Sequence, residues 1–459
     1  MKPNFYKSFA LSALLTCSLT SVAEASGNYE IRAFYGDKVN DEVVVIDLKE
    51  WTFSRVTTEG KTPYPVDQAG YLDKVYAITR GSSSMDIIDA DTLENLGLLP
   101  LNHKPRSGES YNSKLGLALI AGADKPLTSV IDVMSDTVVA EAGKDIFTTP
   151  ENGDNGGTIS SGHPGWLTKD RFVVIDRANR KMQLWGIEKR QHRYGYRHGD
   201  TYGQDNGGWH AFFINEIETP TSVHHILHRN TSMLPEDEQR VFYALAEGKN
   251  TLVNKETKDD LINPAILELT LSEKDGQLSL TNTIDVPGDT PAVMKSHHAD
   301  FHPDGQHIYV GSTEGNLFVL DKDTGELIST IATGKGTGHT RFVPARKLAI
   351  VTNHDDDFVT VIDTESHTLR DTIKFDKLDF VNAVPEVNQI KQSHTSYVSP
   401  DNMYYYAFAS AYGIFFEIDL SKEKLEITNT LYTDGVPVQG SFLNSDYFSS
   451  SATHSSSGM

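Results

Sequence analysis

The sequence predicts an all-β chain folded as a β-propeller, most simply eight four-stranded blades with the ring closed by the C-terminal strand. Three observations carry this reading: a recurring strand, its recurring surroundings, and the two ends of the chain. The strand is short, apolar and ends in Asp: Val43-Val-Val-Ile-Asp47, Met85-Asp-Ile-Ile-Asp89, Ser129-Val-Ile-Asp132, Leu317-Phe-Val-Leu-Asp321, Val359-Thr-Val-Ile-Asp363 and Phe415-Phe-Glu-Ile-Asp419. Weaker copies at Met182–Ile187 and Ala265–Leu269 bring the count to eight. Most copies lie 42 to 56 residues apart, one blade's worth of chain, and one gap of about 80 holds a Gly-rich insertion.

The surroundings are clearest from Lys295 onward. Ser-His-His-Ala-Asp-Phe leads to the turn His302-Pro-Asp-Gly, then Gln306-His-Ile-Tyr-Val-Gly-Ser, then Asn316-Leu-Phe-Val-Leu-Asp, and after Thr324-Gly325 comes Glu326-Leu-Ile-Ser-Thr-Ile. Four short strands bounded by Gly, Pro, Asn or Asp describe an antiparallel blade that cannot bury its faces alone. At the ends, the segment from Asn28 begins where a second strand is due, so blade one lacks its innermost strand. Val436–Leu443 is a strand left over after blade eight, and donating it to blade one closes the ring.

Residues 1 to 25 carry Lys2 and Lys7, a short apolar run and Ala23-Glu24-Ala25, the pattern of a secretory signal peptide cleaved before Ser26. The apolar run is too short for a membrane anchor. A single propeller domain is expected over 26–445, followed by a Ser-rich tail over 446–459 that reads as disordered. The expected compartment is the periplasm or the outside of the cell, and the expected state is a monomer.

Charge and cysteine narrow the chemistry. With 63 acidic against 41 basic residues the net charge is −22, and removing the leader leaves 39 basic against 62 acidic, or −23. Such a surface argues against nucleic acid or an anionic membrane as partner, and it attracts divalent cations. The one cysteine, Cys17, lies in the leader, so disulfides, thiolate metal sites and cysteine nucleophiles are excluded from the exported chain. No Ser-His-Asp spacing, phosphate-binding glycine loop or haem attachment motif is visible, and Asp304-Gly reads as hairpin punctuation.

The 17 histidines are the most informative feature. Aligning the innermost strands on His-x-x-aromatic places His163 in blade four, His298 in blade six, His339 in blade seven and His394 in blade eight. Blade five offers His225, with His228 in the aromatic slot. His224 and His297 precede His225 and His298. Blade one has Gln439 and blade two Asp67 at about the same place. One isolated histidine is more often a satisfied turn or core residue, but five at equivalent positions on channel-lining strands point to a shared ligand. Imidazoles without thiolates suit Zn(II), with Cu(II) as the alternative. One ion takes three or four ligands, so the chief expected set is His298, His339 and His394. His163 and His225 are further ligands or a second site, and Asp67 or Asp300 is a candidate carboxylate.

Two other segments are weighed. The insertion from Arg190 to Gly208, with His192 and His198, runs into Trp209-His210; it reads equally as a lid or transfer arm over the channel and as a solvated hairpin extension. His354-Asp-Asp-Asp357, before the third strand of blade seven, reads as a solvated acidic turn rather than a surface metal site.

An exported eight-bladed propeller without cysteine, its histidines gathered on the innermost strands, resembles the periplasmic zinc metallochaperones of the AztD type. The resemblance covers nearly the whole exported chain and rests on architecture and histidine placement. It implies a carrier that holds zinc on His163, His225, His298, His339 and His394 and passes it to the zinc-binding protein of an ABC importer. The chain also resembles the propeller domain of nitrous oxide reductase, whose hub histidines hold a copper–sulfide cluster, although no cysteine is present for that enzyme's second copper site. A metal-dependent propeller enzyme, such as a lactonase or other hydrolase with Glu109 as its base, is the alternative to a carrier.

Overall fold

The computed structural model describes residues 30–69, 72–143, 161–190, 208–227, 240–248, 262–286, 296–375 and 389–444. The expected signal peptide and Ser-rich tail, and His192, His198 and His228, lie outside them. Eight antiparallel sheets of four strands follow one another around the ring, as the repeat predicts. Blade one is composite. The C-terminal strand Pro437–Asn444 is its innermost strand and pairs with Ile31–Asp37, followed by Glu42–Asp47 and Thr52–Thr57. Every other blade runs outward in chain order, as in blade six: Ser296–Phe301, His307–Ser312, Asn316–Asp321, Leu327–Ala332.

The recurring apolar strand is the third of each blade. It lacks the alternation of a half-buried strand because adjacent blades cover both of its faces. In blade one Val44 and Ile46 pack toward blade eight beside Phe408 and Phe415, while Val43 and Val45 pack toward blade two beside Val75 and Ile88. Side chains of this kind each contribute about 1.5–3 kcal/mol on burial, and both neighbours are needed to bury them.

The terminal Asp of that strand has a separate task. Asp47, Asp89, Asp132, Asp321 and Asp363 each use Oδ1 to accept backbone N–H groups two and three residues on. The fourth residue on then turns left-handed, at Trp51, Leu93, Asp136, Gly325 and His367. A carboxylate closing an Asx-type turn is why Asp, and no apolar residue, ends the strand.

Antiparallel meander geometry puts the first-to-second and third-to-fourth turns of a blade at one end. The second-to-third turns and the links between blades lie at the other. The start of each innermost strand therefore shares an end of the propeller with the close of each second strand. No described helix is long and apolar enough to cross a membrane.

Candidate metal centre

Histidines converge at that shared end. His224 and His225 sit in the innermost strand of blade five (Val223–Leu227), His298 in that of blade six, and His339 in that of blade seven (Thr337–Val343). His163 and His394 stand just ahead of Gly165–Thr168 and Ser396–Val398 in blades four and eight. Successive side chains of a regular strand point to opposite faces, which would separate His224 from His225 and His297 from His298. The register of blade five slips between Val223 and His225, and that of blade six between Ser296 and His298. An extra residue at each bulge re-aims one ring, so both rings of a pair reach the cluster. Their centroids lie 5.2 and 4.7 Å apart.

The seven predicted histidines form one continuous group of rings, joined by an eighth, His354. His163 meets His224 at 4.7 Å, His224 meets His297 at 3.9 Å, and His298 meets His339 at 3.9 Å. His354 meets His394 at 4.2 Å and His298 at 5.4 Å. The acidic-turn reading of His354 is therefore corrected: the residue is 8% exposed and its ring lies inside the cluster. It follows the second strand of blade seven (Leu348–Asn353), and topology delivers that position to the same end as the innermost-strand histidines.

Three donors are arranged for an ion. His354 Nε2 lies 3.3 Å from His298 Nε2 and 3.1 Å from His394 Nδ1. Tetrahedral zinc with bonds of about 2.0–2.1 Å spaces its nitrogens about 3.3–3.4 Å apart, so these two pairs need little movement. The second partners of two rings fix their orientation. His354 Nδ1 donates to the Gln392 carbonyl at 3.1 Å, which leaves Nε2 free as a ligand, and His394 Nε2 lies 2.6 Å from the Tyr64 hydroxyl. His298 Nδ1 is buried without a hydrogen-bond partner, the kind of exception that calls for a functional reason. Tyr64 is in turn covered by the Arg80 guanidinium, 3.9 Å from its ring centre.

Electrostatics keep these rings neutral. Burial pushes the imidazoles of His298 and His394 far below the ordinary histidine range, and repulsion from neighbouring rings adds to it. His354 is lowered to about 3, again by burial first. Neutral imidazoles offer their lone pairs without a proton to displace at neutral pH.

A second group, His224, Glu247 and His297, also has its donor atoms within 4.8 Å of one another. Glu247 Oε1 is 3.0 Å from His224 Nδ1 and 3.7 Å from His297 Nδ1. The carboxylate is committed elsewhere, since Arg177 Nη2 reaches both of its oxygens at 2.7 Å. Arg106 Nη2 is 3.4 Å from His224 Nδ1 as well. Two guanidinium groups beside two imidazoles oppose a divalent cation, which favours the His298, His354 and His394 group.

The remaining candidates fall around these sets. His339 Nδ1 faces Asp300 Oδ1 at 3.3 Å, and Asp300 also accepts the Thr340 N–H, so Asp300 orients His339 and His339 stands beside the three-donor group. His225 Nε2 is 3.4 Å from the Ala299 carbonyl. Asp67 and Glu109 lie in the innermost strands of blades two and three, and their side chains are outside the described residues. Trp209-His210 opens the outer strand of blade four, so the insertion spans its third-to-fourth connection; residues 191–207 are outside the described residues. Glu247 was missed by sequence reasoning, and His354 was read as part of a solvated acidic turn. Both occupy the first position after a second strand, as do Arg80 and Arg177, and comparing that position across blades is the signal that finds them.

No protein-family model matches the chain, and no curated protein matches it in sequence. Solved structures do. Dihydro-heme d1 dehydrogenase NirN in complex with DHE is 12% identical with a TM-score of 0.58, the match covering 90% of this chain and 75% of that one. Apo AztD from Citrobacter koseri is 11% identical with a TM-score of 0.51, covering 90% and 98%. At these identities the likeness carries the fold, and the chain is an eight-bladed β-propeller with a buried imidazole cluster at one end.

Proposed function

We propose that this protein is a periplasmic zinc carrier that holds Zn(II) on His298, His354 and His394 and delivers it to the zinc-binding protein of an ABC importer. The observation that carries the reading is the pair of 3.1 and 3.3 Å contacts at His354 Nε2, which sets two of the three donor spacings among neutral, buried or half-buried imidazoles close to those of a tetrahedral site, with all three donors within 4.8 Å of one another. Three protein ligands leave a fourth position open. In a carrier that opening is where a recipient's ligand enters, so the ion changes hands without being released to solvent. The nearby His297 and His339 rings supply alternative donors along such a path. The resemblance to AztD-type metallochaperones in blade architecture and histidine placement supports the same reading.

The test begins with metal-stripped protein titrated with Zn(II) against a chromophoric chelator. At least one tight equivalent is expected, and one is lost in the His298→Ala/His354→Ala/His394→Ala variant. Zinc-loaded protein is then mixed with a metal-free importer binding protein in the presence of a scavenging chelator. Transfer faster than capture by the chelator supports delivery. Absence of saturable zinc uptake by the unmodified chain overturns the carrier reading.

A further inference from the structure

At the opposite end of the propeller lies a second histidine group, about 13 Å further along the same strand that carries His298, at about 3.3 Å per residue. His302 and Asp304 belong to the first turn of blade six, and His307 opens its second strand. Asp304 Oδ2 is 2.8 Å from His302 Nδ1 and 2.6 Å from His307 Nδ1. The His307 ring centre is 4.7 Å from that of His367, which the third-to-fourth turn of blade seven brings across the seam between the blades. We infer that His302, Asp304 and His307 form a second, solvent-accessible site for a divalent transition metal ion, with the His367 ring beside it.

The Asp304 side chain divides its work. The hairpin needs only Oδ1, which accepts the Gln306 and His307 N–H groups at 2.7 and 3.1 Å. Oδ2 takes no part in the turn, and two imidazoles converge on it. Without an ion these atoms sit at hydrogen-bond distance. A tetrahedral ion needs about 3.3 Å between donors, so each ring must retreat by roughly half an ångström. Partly exposed side chains on a hairpin can move that far, whereas the enclosed rings at the other end are already spaced for an ion.

His367 is held in place from behind. Its Nδ1 lies 2.7 Å from the Tyr309 hydroxyl, which leaves Nε2 facing away from that contact, the usual outer partner of a metal-binding histidine. Its left-handed backbone, at φ 52°, is the fourth residue after Asp363 and so is placed by the same Asx-type turn as in the other blades. Asp321 and Asp323 stand nearby through Gln306, with Lys322 paired to Asp323. The balance of charge around the group is negative. It contrasts with the arginines beside His224 and suits capture of a cation from solvent. Two or three imidazoles with one carboxylate select Zn(II), Ni(II) or Cu(II) over Mg(II) or Ca(II).

The experiment uses the full chain with the three axial donors replaced (His298→Ala/His354→Ala/His394→Ala), stripped of metal and titrated with Co(II) while its visible absorption is followed. Saturable uptake of one equivalent is expected, weakened at least about tenfold by adding His307→Ala. His302→Ser is a second variant. Its hydroxyl can still accept the Asp304 N–H that His302 Nδ1 meets at 3.2 Å, so the turn survives while a ligand is lost. It should weaken Co(II) binding with unchanged urea unfolding. The site is overturned if the axial variant takes up no Co(II) or Zn(II), or if its uptake is indifferent to both changes. Either result leaves the axial reading standing. Should unmodified protein lose all metal on replacing His302 and His307 alone, the axial reading falls and this site remains.

Discussion

His354 Nε2 lies 3.1 Å from His394 Nδ1, joining the close of a second strand in blade seven to the start of an innermost strand in blade eight. The two residues stand 40 apart in sequence and belong to different sheets, so their approach is set by how the blades stack. The segment leading to His394 is tied to blade seven as well: the Lys391 N–H donates to the His354 carbonyl at 2.7 Å. The first prediction compares His354→Ala with His339→Ala. Losing His354 removes a central donor and should weaken zinc binding by well over about 100-fold, whereas losing His339 should cost about tenfold, the low end of the range for an outer-shell change. Chelator competition decides, and equal losses would place His339 among the ligands.

Gly338 makes room for the His354 ring. A Cβ there would lie 2.8 Å from His354 Nε2 and 2.5 Å from Thr352 Oγ1, closer than packed atoms tolerate. Gly338→Ala should displace the imidazole, weakening zinc about tenfold or more, and should destabilise the fold by about 1–3 kcal/mol through overpacking. Zinc competition and urea unfolding report the two effects separately. Unchanged affinity would show that the ring position is not critical.

Acid should unfold the metal-free protein well above the carboxylate range. His225 and His354 are lowered to about 3, chiefly by burial, against an ordinary value of 6.5. Between those limits the unfolded chain binds protons that the folded chain refuses. The stability associated with neutral rings is complete above about pH 6.5 and falls as pH drops toward 3, by roughly 1.4 kcal/mol per pH unit for each such histidine. Urea midpoints measured at about pH 7.5 and about pH 5 should differ accordingly. A flat profile contradicts the burial of these rings.

Arg177 and Glu247 form a buried pair, with the guanidinium bound to both carboxylate oxygens. Arg177→Met should cost about 3–5 kcal/mol because Glu247 loses the partner bound to both of its oxygens. Adding Glu247→Gln should recover much of that loss. Urea unfolding of the two variants checks both steps, and no recovery in the double variant would mean that Arg177 acts through packing alone.

The ring was legible in sequence because one task repeats in it. Each third strand must bury both faces and then turn, so an apolar run recurs in every blade and is followed by Asp in six of the eight. The histidines of the innermost strands were legible by the same register. His354 and Glu247 were not, because they belong to another register, the residue after the second strand. Beside Asp355, which is exposed, His354 has the composition of a solvated turn. Only the meander's geometry, which returns that turn to the mouth of the channel, turns it into a donor. The bulges at His224 and His297 were equally hidden, since no residue type marks them.

Closure of blade one by residues Pro437–Asn444 has a bearing on when the centre can exist. The His394 N–H donates to the Val438 carbonyl at 2.8 Å, and Tyr35 reaches across from blade one to the Thr395 carbonyl at 2.9 Å. The segment at His394 and Thr395 is thus held by strands far apart in the chain, Ile31–Asp37 and Pro437–Asn444. Without Pro437–Asn444 the backbone bond that fixes His394 beside His354 is absent, so ring closure and the order of the three-donor group are one event.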